Sequence, residues 1–290
     1  CQNSRLASVP TDNEAHEKIK ANIKILETIC SKLKDTNFKD SVMKELREIL
    51  YDPGMLNKLD SNPRLIGFDN GVFDLDEMRF RNGNPRDMLS MSTGYDYVPF
   101  DPEDPYVLEM NKFVREVVQD HGTRRYLLAS LGSMLDGSVR TERFYIWTGV
   151  GSNGKSIFIE LVEKAFGDYA CKMPVSVLTQ KRAAGNAPTA EIARTKGRRF
   201  VALQEPGNGE VLNVGLMKEL SGGDSIVTRQ LYQDPIEFKP QFKLTMICNQ
   251  KPEIHSDDEG TWRRLKSCPF NSKFLDRPSP GDPTEFKVDR

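Results

Sequence analysis

The sequence is short of several things, and each shortage removes a class of function. Only three histidines are present, His16, His121 and His255, and the five cysteines (Cys1, Cys30, Cys171, Cys248, Cys268) stand apart from one another. No Cys-x-x-Cys pair and no histidine at metal-ligand spacing occurs, which argues against a zinc site. An odd, scattered set of thiols forms no disulfide framework and suits a reducing, intracellular compartment. No apolar run approaches the roughly 20 residues that span a bilayer, and no signal peptide opens the chain, so no membrane partner is expected. An excess of either charge is missing too. Against 42 acidic residues stand 41 basic ones, a net charge of −1, so any contact with nucleic acid has to come from a local patch such as a lined channel. Internal repeats and low-complexity tracts are absent.

What remains is a globular composition, 38% hydrophobic and 29% charged, long enough for one large domain or two ordinary ones. The chain opens on Cys1 and closes through a Pro-rich stretch, Arg277-Pro-Ser-Pro-Gly-Asp-Pro283, and so reads as a piece of a longer protein. From about Asp12 to Tyr51 the apolar residues recur at helical spacing in two runs, Ile19 to Leu33 and Val42 to Leu50. Pro53-Gly54 interrupts them. Leu65–Phe68 and Val72–Leu75 flank an Asp69-Asn70-Gly71 turn and predict a hairpin, with a further turn at Arg81–Pro85. Two more helices are predicted over Val107–Val118 and Gly122–Leu135. Beyond Arg143 the texture changes to short apolar strands, Phe144–Thr148, Phe200–Gln204, Phe242–Cys248 and Leu265–Phe270, separated by turns and helices. That alternation predicts an α/β layer with a mainly parallel sheet. The expected division is residues 1–100 as a mixed helical and hairpin domain, 101–140 as a small helical collar, and 141–290 as the α/β domain.

The most specific segment is Gly149-Val-Gly151-Ser152-Asn153-Gly154-Lys155-Ser156, a complete phosphate-binding loop. It follows an apolar strand and precedes the helical run that starts at Ile157, as the motif requires. Glycines let backbone N–H groups turn inward around phosphate oxygens, and the helix N-terminus adds its positive end. Lys155 then reaches the β- and γ-phosphates, and the Ser156 hydroxyl is placed as a Mg2+ ligand. The same loop contains Gly149-x-Gly151-x-x-Gly154, a dinucleotide fingerprint, but that site has no use for Lys-Ser after the third glycine. Lys155-Ser156 therefore decides for ATP or a related triphosphate.

Ligands of open parallel sheets bind at the carboxyl ends of strands, so the polar residues that terminate the apolar runs matter most. Glu205 ends Phe200–Gln204 and can hold the metal or polarise water, the alternative being an ordinary solvated acid at a strand end. Asn249 ends Phe242–Cys248, where an amide can orient water or a γ-phosphate; alone, an asparagine there is equally a turn former. Arg263 and Arg264 precede the last strand and could stabilise a transferring phosphoryl group, or could simply pair with the nearby Asp257, Asp258 and Glu259. Between Glu205 and Asn249, Val227, Arg229 and Leu231 alternate with Thr228 and Gln230, which predicts two strands about a Gln-Asp-Pro turn. A protruding hairpin carrying Arg229, Lys239 and Lys243 could touch a phosphate backbone, although an ordinary charged hairpin would look the same.

Taken together and in this order, the loop, the strand ending in Glu205, the Lys-x-Leu-Ser-Gly-Gly-Asp224 segment, Cys248-Asn249 and Trp262-Arg-Arg264 resemble a superfamily 3 helicase. The resemblance is to the poxvirus-type primase-helicase branch of the nucleocytoplasmic large DNA viruses. It extends upstream through Leu65–Leu75, Pro85-Arg-Asp87 and Ser92–Tyr97, and covers about Leu46 to Phe274. It implies a P-loop motor of the AAA+ kind in a ring, usually hexameric, with ATP and Mg2+ between neighbouring subunits and single-stranded DNA in the channel. On that resemblance Glu205 is the acid of the second nucleotide motif, Asn249 the sensor, and Arg263 or Arg264 the finger reaching a neighbour's ATP. Gly149, Gly151, Ser152, Asn153, Gly154, Lys155, Ser156 and Ile157 hold the nucleotide, Ser156 and Glu205 the metal, and Arg229, Lys239 and Lys243 the DNA. A linked primase domain and other replication proteins, in host cytoplasm or nucleus, are the implied partners and place. Two departures stand out. Gln204 occupies the position where many relatives have a second acid, and neither the primase carboxylates nor the usual C-terminal helical extension is recognisable. The alternatives are a P-loop kinase, which needs an acceptor pocket and an Arg-rich lid, and a non-catalytic module, which would not need an intact loop.

Overall fold

Residues 13–180, 189–207, 209–230 and 232–288 are described by a computed structural model. The chain divides into two compact units, Cys1–Met55 and Leu56–Arg290. In the first, α1 (Asn13–Lys32) and α2 (Thr36–Ile49) occupy the two runs of helical period. Asp35 starts the second of them, its carboxylate accepting the Asn37 N–H at 2.8 Å and so satisfying a donor that the first turn leaves open. Periodicity has not brought burial here, since Ile25, Leu26, Ile29, Leu33, Met43 and Ile49 are all exposed.

After a single helical turn, α3 (Met55–Lys58), the larger unit begins with an antiparallel sheet of β1 (Leu65–Phe68), β2 (Gly71–Asp74) and β3 (Arg79–Arg81). The Asp69-Asn70 turn sets Phe68 opposite Gly71, the hairpin that the sequence predicts. Two helices follow, α4 (Pro105–Val117) and α5 (His121–Leu135), each opened by an aspartate, Asp104 and Asp120, that accepts first-turn N–H groups.

The main sheet is built from β4 (Phe144–Thr148), β5 (Ala170–Met173), β6 (Phe200–Leu203), β9 (Lys243–Cys248) and β10 (Leu265–Pro269) in the order β10-β4-β9-β6-β5, every pair parallel. Within β4, Tyr145 and Trp147 face one core and Phe144 and Ile146 the other, all of them buried. Burial on both faces explains why these strands read as continuous apolar runs and not as alternating ones. On the first face α6 (Lys155–Phe166) packs Phe158, Ile159, Val162 and Phe166 under Trp147, whose ring lies 5.6 Å from Phe158 and 5.8 Å from Phe270. On the other face α7 (Ser176–Thr179) and α9 (Val214–Ser221) bring Leu178, Leu216, Met217 and Leu220 against Val201, Leu203, Leu244 and Met246. The one-turn α8 (Ala190–Ala193) lies between β5 and β6 in sequence.

Outside the sheet, β7 (Ile226–Thr228) pairs antiparallel with β8 (Ile236–Phe238), the hairpin expected in this stretch; Leu231, part of the alternation that predicted it, lies outside the described residues. A turn of helix, α10 (Glu259–Trp262), leads into β10. The Pro-rich stretch is not a loose tail. It joins β11 (Lys273–Leu275) to β12 (Glu285–Lys287) as a parallel pair, with Phe274 stacked on Phe286. Proline and glycine in the connection hid a pair whose strands are only three residues each. The edge strand β5 carries little apolar signal and is likewise not evident from the sequence.

Candidate functional site

The polar strand ends do converge. The loop Gly149–Gly154 leaves the carboxyl end of β4, Glu205 lies just past β6, and Asn249 follows β9, on adjacent parallel strands. Between them is a cleft of about 1210 Å³, lined by Gly151 through Ile157, Glu205, Cys248 and Asn249, among others. This is where a parallel sheet offers a ligand the N-terminus of a helix and the ends of its strands.

Local chemistry fixes the loop. Gly154 sits at φ 74°, and a Cβ there would come within 2.9 Å of Val117 and 3.0 Å of Phe274, so both conformation and space call for glycine. Ser152 also takes a positive φ, 55°, and its carbonyl accepts the Phe274 N–H at 2.6 Å. Asn153 is buried and works in both directions. Its Oδ1 accepts the Lys155 N–H at 3.2 Å and its Nδ2 donates to the Phe270 carbonyl at 3.3 Å, tying the start of α6 to the end of β10.

Lys155 is buried beneath the loop, and its Nζ donates to the carbonyls of Cys248 at 2.8 Å and Gly149 at 3.0 Å and to Asn249 Oδ1 at 3.4 Å. Burial holds its pKa below the ordinary lysine value, opposed by the field of Glu205. Asn249 links the other two groups, since its N–H donates to Glu205 Oε1 at 2.9 Å and its Nδ2 to Glu205 Oε2 at 3.2 Å. Cation, amide and carboxylate thus form one hydrogen-bonded chain along the cleft floor. Ser156 and Ile157 are exposed on the first turn of α6 at its rim. The neighbouring Cys248 thiol is pushed up to about 11 by burial and remains protonated at neutral pH.

Arg263 and Arg264 lie elsewhere. The Phe144 N–H donates to the Arg264 carbonyl, which puts the pair at the amino end of β4, opposite to the loop. A five-residue strand separates the two ends by roughly 15 Å. Both guanidinium groups meet Glu142, Arg263 at 2.7 Å and Arg264 at 2.9 Å; Arg263 is largely exposed and Arg264 enclosed. The expected alternative partners Asp257, Asp258 and Glu259 do not hold them.

Of the three basic residues assigned to the hairpin, Arg229 and Lys239 are exposed beside β7 and β8. Lys243 is a correction. It is the first residue of β9, 5% exposed, and its ammonium is engaged by the backbone carbonyls of Asp136 and Ser138, so it presents no charge to a surface ligand. Its place as the second residue of the apolar run Phe242–Cys248 is the sequence signal that separates it from Arg229 and Lys239. The sequence reading also missed the contribution of the C-terminal strand pair: Phe274 and Val288 line the cleft, and Gln119 Nε2 holds the connection through the Pro283 carbonyl at 2.5 Å. Among the described residues, no group of three or more His, Cys, Asp or Glu gathers to hold a metal, and no helix is long and apolar enough to cross a membrane.

Two family descriptions match the chain: "D5 N terminal like" over residues 5–119, and a family of unknown function over residues 147–264. A "putative helicase" of Acanthamoeba polyphaga mimivirus is 44% identical over 247 residues, 85% of this chain and 26% of its own length. A "putative helicase" of Invertebrate iridescent virus 6 is 32% identical over 92% of this chain and 28% of its own. A "putative primase" of African swine fever virus is 28% identical over 97% of this chain and 30% of its own. The chain therefore spans between a quarter and a third of the length of these relatives. Among solved structures, the apo NrS-1 C-terminal region aligns with 56% of this chain and 38% of its own at 14% identity and a TM-score of 0.45.

Proposed function

We propose, for a chain that belongs to the primase-helicase branch of the nucleocytoplasmic large DNA viruses, that its α/β domain is an ATP-hydrolysing helicase motor of the AAA+ kind serving viral DNA replication. The observation that carries the reading is the chain Lys155–Asn249–Glu205 in a single cleft beside the loop 149–156. The donor set suits a nucleoside triphosphate with Mg2+. Loop N–H groups and the start of α6 attract phosphate, and the Lys155 ammonium, now resting on carbonyls, can transfer to phosphate oxygens. Ser156 and Glu205 offer the oxygen ligands that Mg2+ prefers, and a cation with so few protein ligands takes the rest from phosphate and water. When bound, the metal neutralises charge that develops on the transferring phosphoryl group.

The residues of this chain do the remainder. Glu205 is held through both carboxylate oxygens by Asn249, which aims it into the cleft and leaves it to orient or deprotonate the attacking water. With Gln204 before it, this single carboxylate also serves the metal. Asn249 contacts both Lys155 and Glu205, so it can register the state of the phosphate end and pass it to the base. The motor works as a ring, hexameric by its resemblance, with ATP at subunit interfaces and single-stranded DNA along the channel. The exposed Arg263, far from its own cleft, is the group suited to a neighbour's ATP, and Arg229 and Lys239 are the DNA contacts.

The test is ATP turnover with and without single-stranded DNA, beside Lys155→Ala. Turnover that DNA stimulates, and that falls at least ~100-fold in the variant, is expected from loss of one phosphate-contacting cation. Turnover unaffected by Lys155→Ala would overturn the reading, and turnover indifferent to DNA would remove the helicase part of it.

A further inference from the structure

Two buried cations play no part in the nucleotide chemistry, yet they stand at the roots of the two strands that deliver it. Arg199 immediately precedes β6, which leads to Glu205, and is 1% exposed; Lys243 opens β9, which Asn249 follows. The strands are neighbours, with Phe200 opposite Lys243. Neither cation has an ion pair among the described residues. Arg199 donates to the carbonyls of Gly197 at 3.1 Å, Asn62 at 3.2 Å and Leu65 at 3.4 Å and to Gln241 Oε1, and its guanidinium lies 5.4 Å from the Tyr169 ring centre. Gln241 in turn donates to the carbonyls of Asp60 at 2.8 Å and Ser61 at 3.2 Å. Lys243 is held by the Asp136 and Ser138 carbonyls. Asp136 itself is occupied by Arg64 at 2.6 Å, and Asp60 by Ser90. Even Gly137 belongs to the seam, because a Cβ there would come within 2.7 Å of the Arg199 guanidinium.

Burial pushes Arg199 down to about 10 and Lys243 to about 8, against the fields of Asp136 and, for Arg199, Tyr169 and Asp60; Arg199 also lowers Lys243. Two uncompensated charges are a costly way to close the amino ends of two inner strands, and apolar residues of similar volume would do it at lower cost. What the charges add is direction. A cation on a fixed fan of carbonyls has one favoured placement, whereas an apolar side chain can slide. Apart from that of Gly197, the carbonyls belong to Asn62 and Leu65, just before and at the start of β1, and to Asp136 and Ser138 just past α5, outside the nucleotide cleft.

We propose that Arg199 and Lys243 are positioning residues. Seated on the carbonyls of Asn62, Leu65 and Gly197 and on those of Asp136 and Ser138, they fix the axial setting of β6 and β9, and through it the register of Glu205 against Asn249. The region around β1 and α5 thereby becomes a control point for the catalytic pair about 15–20 Å away, the length of these strands. This inference rests on the nucleotide reading above, but its structural half can be tested without it.

The experiment compares the full chain with Lys243→Met and with Gly137→Ala, which crowds Arg199 without removing charge and serves if the first variant does not fold. Amide hydrogen exchange, nucleotide affinity and ATP turnover are measured on each, with Lys155→Ala as the control for the nucleotide site. The expected result is faster exchange at the far ends, residues 203–206 and 247–250, with turnover reduced 5-fold or more and affinity changed less than 2-fold. Lys243→Arg, which keeps the charge, should recover most of the turnover. Exchange changes confined to 136–138 and 240–244 would overturn the proposal. So would affinity and turnover falling together in proportion to a lowered Tm. If no variant, Lys155→Ala included, alters turnover or binding, the nucleotide reading fails, and the exchange pattern still decides whether the seam sets the strand ends.

Discussion

In α1, Ile25, Leu26 and Ile29, with Leu33 just past its end, recur at helical spacing and are 43–57% exposed; in α6, Phe158, Ile159, Val162 and Phe166 recur in the same way and are 1–7% exposed. The period is the same and the outcome opposite. α6 meets the main sheet, where Trp147, Phe200 and Phe270 lie against it, whereas none of the described side chains of α1 and α2 is buried. An amphipathic stripe specifies a helix and a face, but the energy comes only from what covers that face. The larger unit should therefore lose most of its stability to single core truncations, and the helical unit should tolerate them.

The largest expected effect is Trp147→Ala. A fully buried indole among three aromatic rings should cost about 3–5 kcal/mol, read as a shift of the denaturation midpoint at unchanged slope. A loss below ~1 kcal/mol would break the comparison. Next is the pH dependence of Lys243. Its pKa falls from the ordinary 10.5 to about 8 on folding, so the folded state gives up its proton first. Over that window the unfolded chain binds more protons, and the contribution to stability rises with pH. Stability of the wild-type chain relative to Lys243→Met should grow by on the order of 3 kcal/mol between about pH 7 and 10.5. Taking the difference removes the opposite trend from Cys248 and Cys268, whose buried thiols are pushed up to about 11 and about 12. A flat difference would mean that the ammonium is solvated.

Smaller effects lie in the helical unit. Asp35→Ala removes the side-chain cap of α2 and should cost about 1 kcal/mol, seen as lower helicity in residues 36–49 by amide exchange. Ile29→Ala should change stability by no more than ~0.5 kcal/mol, as for other exposed positions. A cost of ~2 kcal/mol there would show that the α1 face is covered in solution, and the contrast between the two units would vanish.

Much of the candidate site was legible because its signals are local. The loop 149–156 is contiguous, and its strand-before, helix-after context can be read from composition. Glu205 and Asn249 were found by asking what ends each apolar strand, and the parallel order β4-β9-β6 then sets those ends side by side. The anchoring of Lys243 and the C-terminal pair were not legible for a common reason. Both depend on partners far away in sequence: Lys243 on carbonyls more than 100 residues upstream, β11 on a three-residue strand beyond a Pro-rich connection.

By itself, then, the amino-acid order determined most of the longer helices and the central strands and singled out the loop 149–156, since caps, periodicity and glycine geometry act over a few residues. Tertiary structure alone decided which apolar faces are covered, that Lys243 is a buried anchor and not a surface charge, and that Asn249 joins Lys155 to Glu205. Burial and hydrogen bonding at those positions depend on the neighbours that folding brings within a few ångströms, and a linear sequence does not state that distance.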